Sequence, residues 1–228
     1  MLCWSFGLGR WSLSNPSLQS PPMQTSRELI VEPIGLDVDK LPKPLNFPEV
    51  FGNDHPVEME IGSGKGTFIT DQARARPDVN FFGIEWANFF YKYAADRLRR
   101  HNCLNARMVR ADAGFFVVEF VQDASLSVLH IYFPDPWPKK RHNKRRLIQP
   151  PFLKQVERIL KPGGRLQVVT DHLDYFEQID AVVRGSNLQV IDYNRPGSAN
   201  DGEYVGTNFE RKYAREGRPF NAIAAMIK

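Results

Sequence analysis

The chain has 228 residues, 42% hydrophobic and 25% charged, a globular composition that excludes disorder throughout. Two cysteines without CxxC spacing exclude a disulfide framework and a zinc site, and no apolar run approaches the roughly 18 residues of a membrane helix. The formal charge of +4 falls to −2 without residues 139–146, so the basicity is one patch of six cations, which points to a polyanionic partner.

Residues 1–27 carry no acid and are rich in Ser and Pro. Gly7, Gly9 and Arg10 interrupt any apolar stretch, so a signal peptide is a poor fit, whereas composition alone permits an organellar transit peptide. The expectation for residues 1–32 is a disordered or artefactual extension, with Met23 as an alternative start. Prolines at 33, 42, 44, 48 and 56 predict an extended arm over 33–56, with the fold beginning near Pro56 and occupying 57–228. From there strand and helix patterns alternate: strand 57–61, glycine loop 62–66, helix 67–76, strand 79–85, helix 88–100, strand 106–111, helix 114–121 and strand 126–133. Beyond the basic stretch the pattern predicts a helix over 151–160, ended by Lys161-Pro162-Gly163-Gly164. Strand 165–170, helix 173–183 and strands 188–193 and 220–227 follow. This is the α/β pattern of a doubly wound, mostly parallel, seven-stranded Rossmann-like sheet with one antiparallel edge strand.

Chemistry concentrates at the predicted carboxyl ends of the strands, where open α/β sheets build their sites. Glu60-Ile61-Gly62-Ser63-Gly64-Lys65-Gly66 has GxGxG spacing, not the GxGxxG of nicotinamide and flavin sites. With an acid two residues before the first glycine, it resembles the nucleoside-binding loop of S-adenosylmethionine-dependent methyltransferases. That ligand has no pyrophosphate to seat, but its ammonium and sulfonium favour nearby carboxylates. Glu85 closes the second strand, where it can accept ribose hydroxyl protons, and Asp112 closes the third, placed for an adenine amino group. Asp135 follows the fourth. Each acid could also be an ordinary helix N-cap, but four at successive strand ends are harder to read that way.

Phe133-Pro134-Asp135-Pro136-Trp137 running into Lys139-Lys140-Arg141-His142-Asn143-Lys144-Arg145-Arg146 resembles the signature of bacterial tRNA (guanine-N7-)-methyltransferases. Gly83-Ile84-Glu85, Thr170-Asp171 and Thr207-Asn208-Phe209-Glu210 are similar to further landmarks of that family, in the same order, and the likeness spans about 45–228. It implies cytoplasmic methylation of tRNA guanine at position 46 of the variable loop, with S-adenosylmethionine as cofactor, no metal, no membrane and no obligate protein partner. It further implies that Glu60, Gly62, Gly64, Glu85, Asp112 and Asp135 contact the cofactor; because the methylated purine is cationic, Asp135 is also the catalytic candidate, as a carboxylate that would offset that charge. Lys139, Asp171, Thr207, Asn208, Phe209 and Glu210 would contact the substrate, and Arg141, His142, Asn143, Lys144, Arg145 and Arg146 the RNA. Pro138 stands where many relatives carry histidine, so no proton-transfer role is expected at that position.

Bland alternatives accompany three of these assignments. Asp171 could simply cap the next helix, Thr207-x-x-Glu210 is also a capping box, and Trp137 could be core or a platform for the target base. Two other functions compete: an amino methyltransferase acting on an exocyclic amine of RNA or DNA, and a non-catalytic tRNA-binding scaffold.

Overall fold

The computed structural model describes residues 27–197, 199–201 and 203–227, and the expectations for residues 1–26 lie outside them. In chain order the elements are β1 (Gly35–Leu36), α1 (Phe47–Phe51), β2 (Val57–Ile61), α2 (Thr67–Ala75), β3 (Asn80–Ile84), α3 (Asn88–Arg100), β4 (Ala106–Val109) and α4 (Ala113–Phe120). There follow β5 (Leu126–Tyr132), α5 (Pro150–Ile159), β6 (Leu160–Thr170), α6 (Leu173–Arg184), β7 (Gln189–Ile191), α7 (Asn208–Arg215) and β8 (Asn221–Met226). They build one eight-stranded sheet in the order β1-β4-β3-β2-β5-β6-β8-β7. Every pairing from β1 to β6 is parallel, and β8 runs antiparallel to both β6 and β7. The one reversed strand therefore lies at the expected end of the sheet, one place in from the rim.

Alternation along the central strands sorts the two faces. Met59, Ile61, Leu129, Ile131, Leu166 and Val168 point into the large core with residues of α4, α5 and α6 such as Phe116, Val156 and Ile179. Their sequence neighbours Glu58, Glu60, His130 and Gln167 are buried but polar. On that second face a small cluster of Phe68, Tyr132, Val169 and Val205 packs under α2 and the segment before α7. Helices α2 and α3 meet closely because Gly66, the N-cap of α2, has φ +68°, and a Cβ there would lie 2.8 Å from Ala94 Cβ.

The structure departs from the sequence reading in three places that matter here. The eighth strand is β1, drawn from the proline-rich segment, whose Ile34, Leu45 and Phe47 are buried and whose Phe47 ring lies 5.5 Å from Phe82. Packing therefore begins well upstream of Pro56, because apolar residues between the prolines find the open sheet edge. Lys161-Pro162-Gly163-Gly164 does not separate helix from strand. β6 starts at Leu160, and Gly163 and Gly164 exchange backbone hydrogen bonds with Ile227. Gly163 accepts φ +75°, which absorbs the register shift between Leu126 and Val128 of β5. Finally, α6 is capped by His172, whose Nδ1 accepts from Tyr175 N, and not by Asp171.

Candidate active site

The turn after β2 is held open by backbone geometry. Gly62 and Gly64 have φ +76° and +53°, a region unfavourable to side-chain-bearing residues, and a Cβ on Gly62 would meet nothing within 4 Å. Glu85, at the end of β3, fixes the loop: Gly64 N–H donates to Oε2 and Ala87 N–H to Oε1, each at 2.8 Å. Beside the loop opens a cleft with about 680 Å³ of empty space, counting its mouth. Glu60, Gly62 and Gly64 form its floor, Phe68, Tyr132 and Phe133 a wall, and Thr207, Asn208 and Phe209 its roof.

Glu60 is buried in this cleft, and its Oε2 has no hydrogen-bond partner. Burial pushes its carboxyl up to about 8 against the hydrogen bond from Ser63, with the charge of Glu85 adding to the rise. A glycine cradle above an unpartnered carboxylate fits a cationic nucleoside ligand such as S-adenosylmethionine. A ligand ammonium would favour the ionised form of Glu60, so binding at pH 7 should release close to one proton. Calorimetry in two buffers of different ionisation enthalpy measures this, and Glu60→Gln should abolish the release. The sign for stability follows from the raised value. The contribution is complete below the ordinary value of 4.5 and is lost as pH rises through about 8, so Glu60→Gln should flatten that decline.

The roof of the cleft is the start of α7. Thr207 Oγ1 accepts from Glu210 N at 3.3 Å, the predicted cap. Glu210 itself, only 1% exposed, turns away from the cleft. Its carboxylate accepts from Tyr204 N, from Val205 N at 2.9 Å and from Gly206 N at 2.7 Å. The expected substrate contact by Glu210 is thus replaced by a positioning role, because three converging amides claim the charge. Phe209 is 44% exposed and leans over the glycine loop, its ring 3.7 Å from where a Cβ of Gly64 would stand.

Beyond β5 the chain turns a strained corner. Phe133 and Trp137 take φ +51° and +44°, unusual for bulky residues and sustained only where contacts over-determine them. Phe133 N donates to Val169 O at 2.7 Å, and its ring sits edge-on to Tyr213 and Phe220. The Trp137 ring has the Arg145 guanidinium 5.0 Å away and His142 at 6.0 Å. Between them Asp135 is exposed and makes no hydrogen bond or ion pair among the described residues. It is near enough to Tyr175 and Tyr213 that its charge adds to burial in raising both phenols.

The basic run forms a 3-10 turn over Lys140–Arg145. Lys139, Lys140, Arg141, Lys144 and Arg145 are exposed, and His142 and Asn143 half-buried. Arg146 is the exception. It is 3% exposed, donates to Pro136 O and Gln178 Oε1 at 2.8 Å each, pairs with Asp174 and lies over the Tyr175 ring. It clamps the corner to α6 and is withdrawn from the surface on which the sequence reading expected it. Asp112 caps α4 by accepting from Phe115 N at 2.9 Å and stays exposed, while Asp171 pairs with Arg218 at 2.7 Å. The cleft lining thus gathers Glu60, Gly62, Gly64, Thr207, Asn208 and Phe209, whereas Glu85, Asp112, Asp135, Lys139 and Asp171 are not part of it. The sequence reading did not single out Phe68, Tyr132 or Phe133 as cleft walls. The alternation of β5, which puts Tyr132 on the polar face with His130, was the available signal for Tyr132.

A parallel sheet whose last strand is inserted in reverse beside β6, with a glycine cradle at the carboxyl end of β2, is the architecture of Rossmann-like methyltransferases. Solved structures share the fold: an antibiotic-related methyltransferase with TM-score 0.57 at 17% identity, covering 79% of this chain and 92% of that one. A 30S ribosomal A1408 methyltransferase from an uncultured bacterium superposes with TM-score 0.55 at 15% identity, over 80% and 92%. In sequence, the methyltransferase family Methyltransf_4 matches residues 54–223. The tRNA (guanine-N(7)-)-methyltransferase of Rhodopirellula baltica is 40% identical over 189 residues, 79% of this chain and 69% of that protein. The enzyme of the same name from Listeria monocytogenes serotype 4b is 37% identical over 78% and 84%. The chain belongs to the tRNA (guanine-N7-)-methyltransferase family.

Proposed function

We propose that this protein transfers a methyl group from S-adenosylmethionine to N7 of a tRNA guanine, the one at position 46 of the variable loop. The observation that carries the reading is Asp135: an unpaired, exposed carboxylate two residues from a wall of the cleft and four from the first exposed cation of the basic run. The resident cofactor supplies an electrophilic methyl group when bound, held by the glycine loop with Glu60 and Glu85. Guanine N7 offers an in-plane lone pair and carries no proton, so the chain needs no general base. Its task is alignment and charge. Asp135 stands where a carboxylate offsets the positive charge that the purine acquires, and Lys139 and Asp171 flank the approach. Trp137, braced by Arg145, offers an aromatic face to an unstacked base. The compartment that fits is the cytoplasm, and the catalytic domain is residues 57–228 together with the preceding segment that adds β1 to its sheet.

Unmodified tRNA incubated with the protein and labelled S-adenosylmethionine should yield 7-methylguanosine on nucleoside analysis. Label on an exocyclic amine would assign the competing chemistry, and no label with intact tRNA binding would leave a scaffold. Charge replacement separates the cations. Gln at Arg141 and Lys144 should flatten the salt dependence of tRNA binding by about 0.7–0.9 per lost phosphate contact. Arg146→Ala should instead lower stability by about 2 kcal/mol or more, since it removes the buried guanidinium and leaves Pro136 O, Gln178 and Asp174 without their donor, as a denaturant melt would report.

A further inference from the structure

The polar face of the sheet carries a second cavity, with about 550 Å³ of empty space counting its mouth, which the proposed reaction does not use. Arg76 at the end of α2, Arg165 and Gln167 of β6 and Arg195 after β7 line it, together with Glu58 of β2 and His130 of β5. Glu58 is the one carboxylate in this wall, and it is spent. Oε1 takes Arg76 Nη1 at 2.7 Å, and Oε2 takes Arg76 Nη2 at 2.8 Å and His130 Nε2 at 2.9 Å. Arg195 is braced by Asp201 at 3.2 Å and by the Asn200 carbonyl at 2.8 Å. Arg165 has neither. It is half-buried between β5 and β8, and its guanidinium makes no hydrogen bond or ion pair among the described residues. The Nε of Arg76 is likewise buried without an acceptor.

An ion-pair network that served folding alone would close on itself, whereas this one leaves a cation and donors over. Guanidinium groups donate and never accept, and their planar forks match tetrahedral or planar oxyanions. We infer that this cavity binds an oxyanion of phosphate type, gripped by Arg165 with Arg76 and Arg195. The site lies apart from the basic run, but it shares walls with the cofactor cleft. Phe68 lines both cavities, and His130 Nδ1 is 2.8 Å from the hydroxyl of Tyr132, whose ring lines the cleft. Tyr132 in turn donates to Gln167 Oε1 at 3.1 Å, so the amide nitrogen of Gln167 remains as a donor.

Inorganic phosphate titrated calorimetrically into the full chain, in chloride buffer of low ionic strength, should bind at one saturable site. Arg165→Gln should weaken it by about 10-fold or more, the scale of losing charge-assisted hydrogen bonds. Arg165→Lys keeps the charge without the fork, and should also weaken phosphate while keeping the melting temperature. It carries the test if the Gln variant does not fold. The tRNA arm identifies the source of the anion. A salt slope flattened by about 0.7–0.9 in Arg165→Gln means a backbone phosphate of RNA. An unchanged slope with weakened phosphate binding means a free phosphate or phosphomonoester. Phosphate affinity unaltered in both variants, no saturable phosphate binding with an unaltered tRNA slope, or binding lost on Lys144→Gln instead would overturn the assignment.

Discussion

Asp135→Asn is expected to slow methyl transfer in a single turnover by about 100-fold or more, the usual cost of removing one preorganised electrostatic group. Affinity for tRNA should change by no more than a few-fold. The exchange preserves size and shape but deletes the negative charge and turns one acceptor oxygen into an amide donor, and it disturbs no internal partner because the Asp135 side chain has none among the described residues. Stability should therefore hold while the chemical step suffers. Rapid quench with enzyme in excess over tRNA isolates that step from binding and product release. A rate within a few-fold of the unaltered protein would mean that the charge developing on the purine is met elsewhere, and Asp171 would be the next residue to replace.

Glu210→Gln should be the most damaging change outside the cleft itself. The substitution puts an amide donor among three backbone donors and removes a buried charge that all of them share. Hydrogen bonds to a charged group contribute about 1.5–3 kcal/mol each, so a loss of roughly 3 kcal/mol is expected even after local relaxation. Residues 204–206 carry the chain into Thr207 and Phe209, so the roof loosens with them, and cofactor affinity should fall together with the melting temperature. Saturating S-adenosylhomocysteine should restore part of the thermal stability, because a ligand that binds only the assembled cleft favours it by mass action. Thr207→Ala, which removes a single cap bond, should show the same pattern at about 1 kcal/mol. A Glu210→Gln protein that melts normally yet cannot bind tRNA would instead return Glu210 to the substrate surface.

Much of the sheet was legible because its strands announce themselves locally. Val57–Ile61 and the helix Asn88–Arg100 carry their pattern within one window, and both end where expected. What escaped depends on partners distant in sequence. Leu45 and Phe47 sit among prolines, and nothing nearby reveals that they will pack against Val121 and Phe82. Lys161–Gly164 reads as a stop until the backbone of Ile227 supplies it with hydrogen bonds. Around the cleft, the glycine turn and the place of Glu85 just after β3 were readable from spacing, since a strand must end before a loop can turn. The role of Glu210 was not, because a capping box in sequence does not disclose that its carboxylate reaches back to residues 204–206. Arg146 belongs to the same class of error. Six cations within eight residues look alike until one finds Pro136, Asp174 and Gln178.

The insertion of β8 between β6 and β7 has a consequence for biosynthesis. β8 separates the two strands that precede it in the chain, so a nascent chain still lacking it has a gap between them. The helix that covers the glycine loop also emerges late, directly ahead of that strand. Domains are built from the amino terminus as they are synthesised. A translating ribosome would therefore carry an incomplete sheet, and competence to hold the methyl donor would arrive only with α7 and β8.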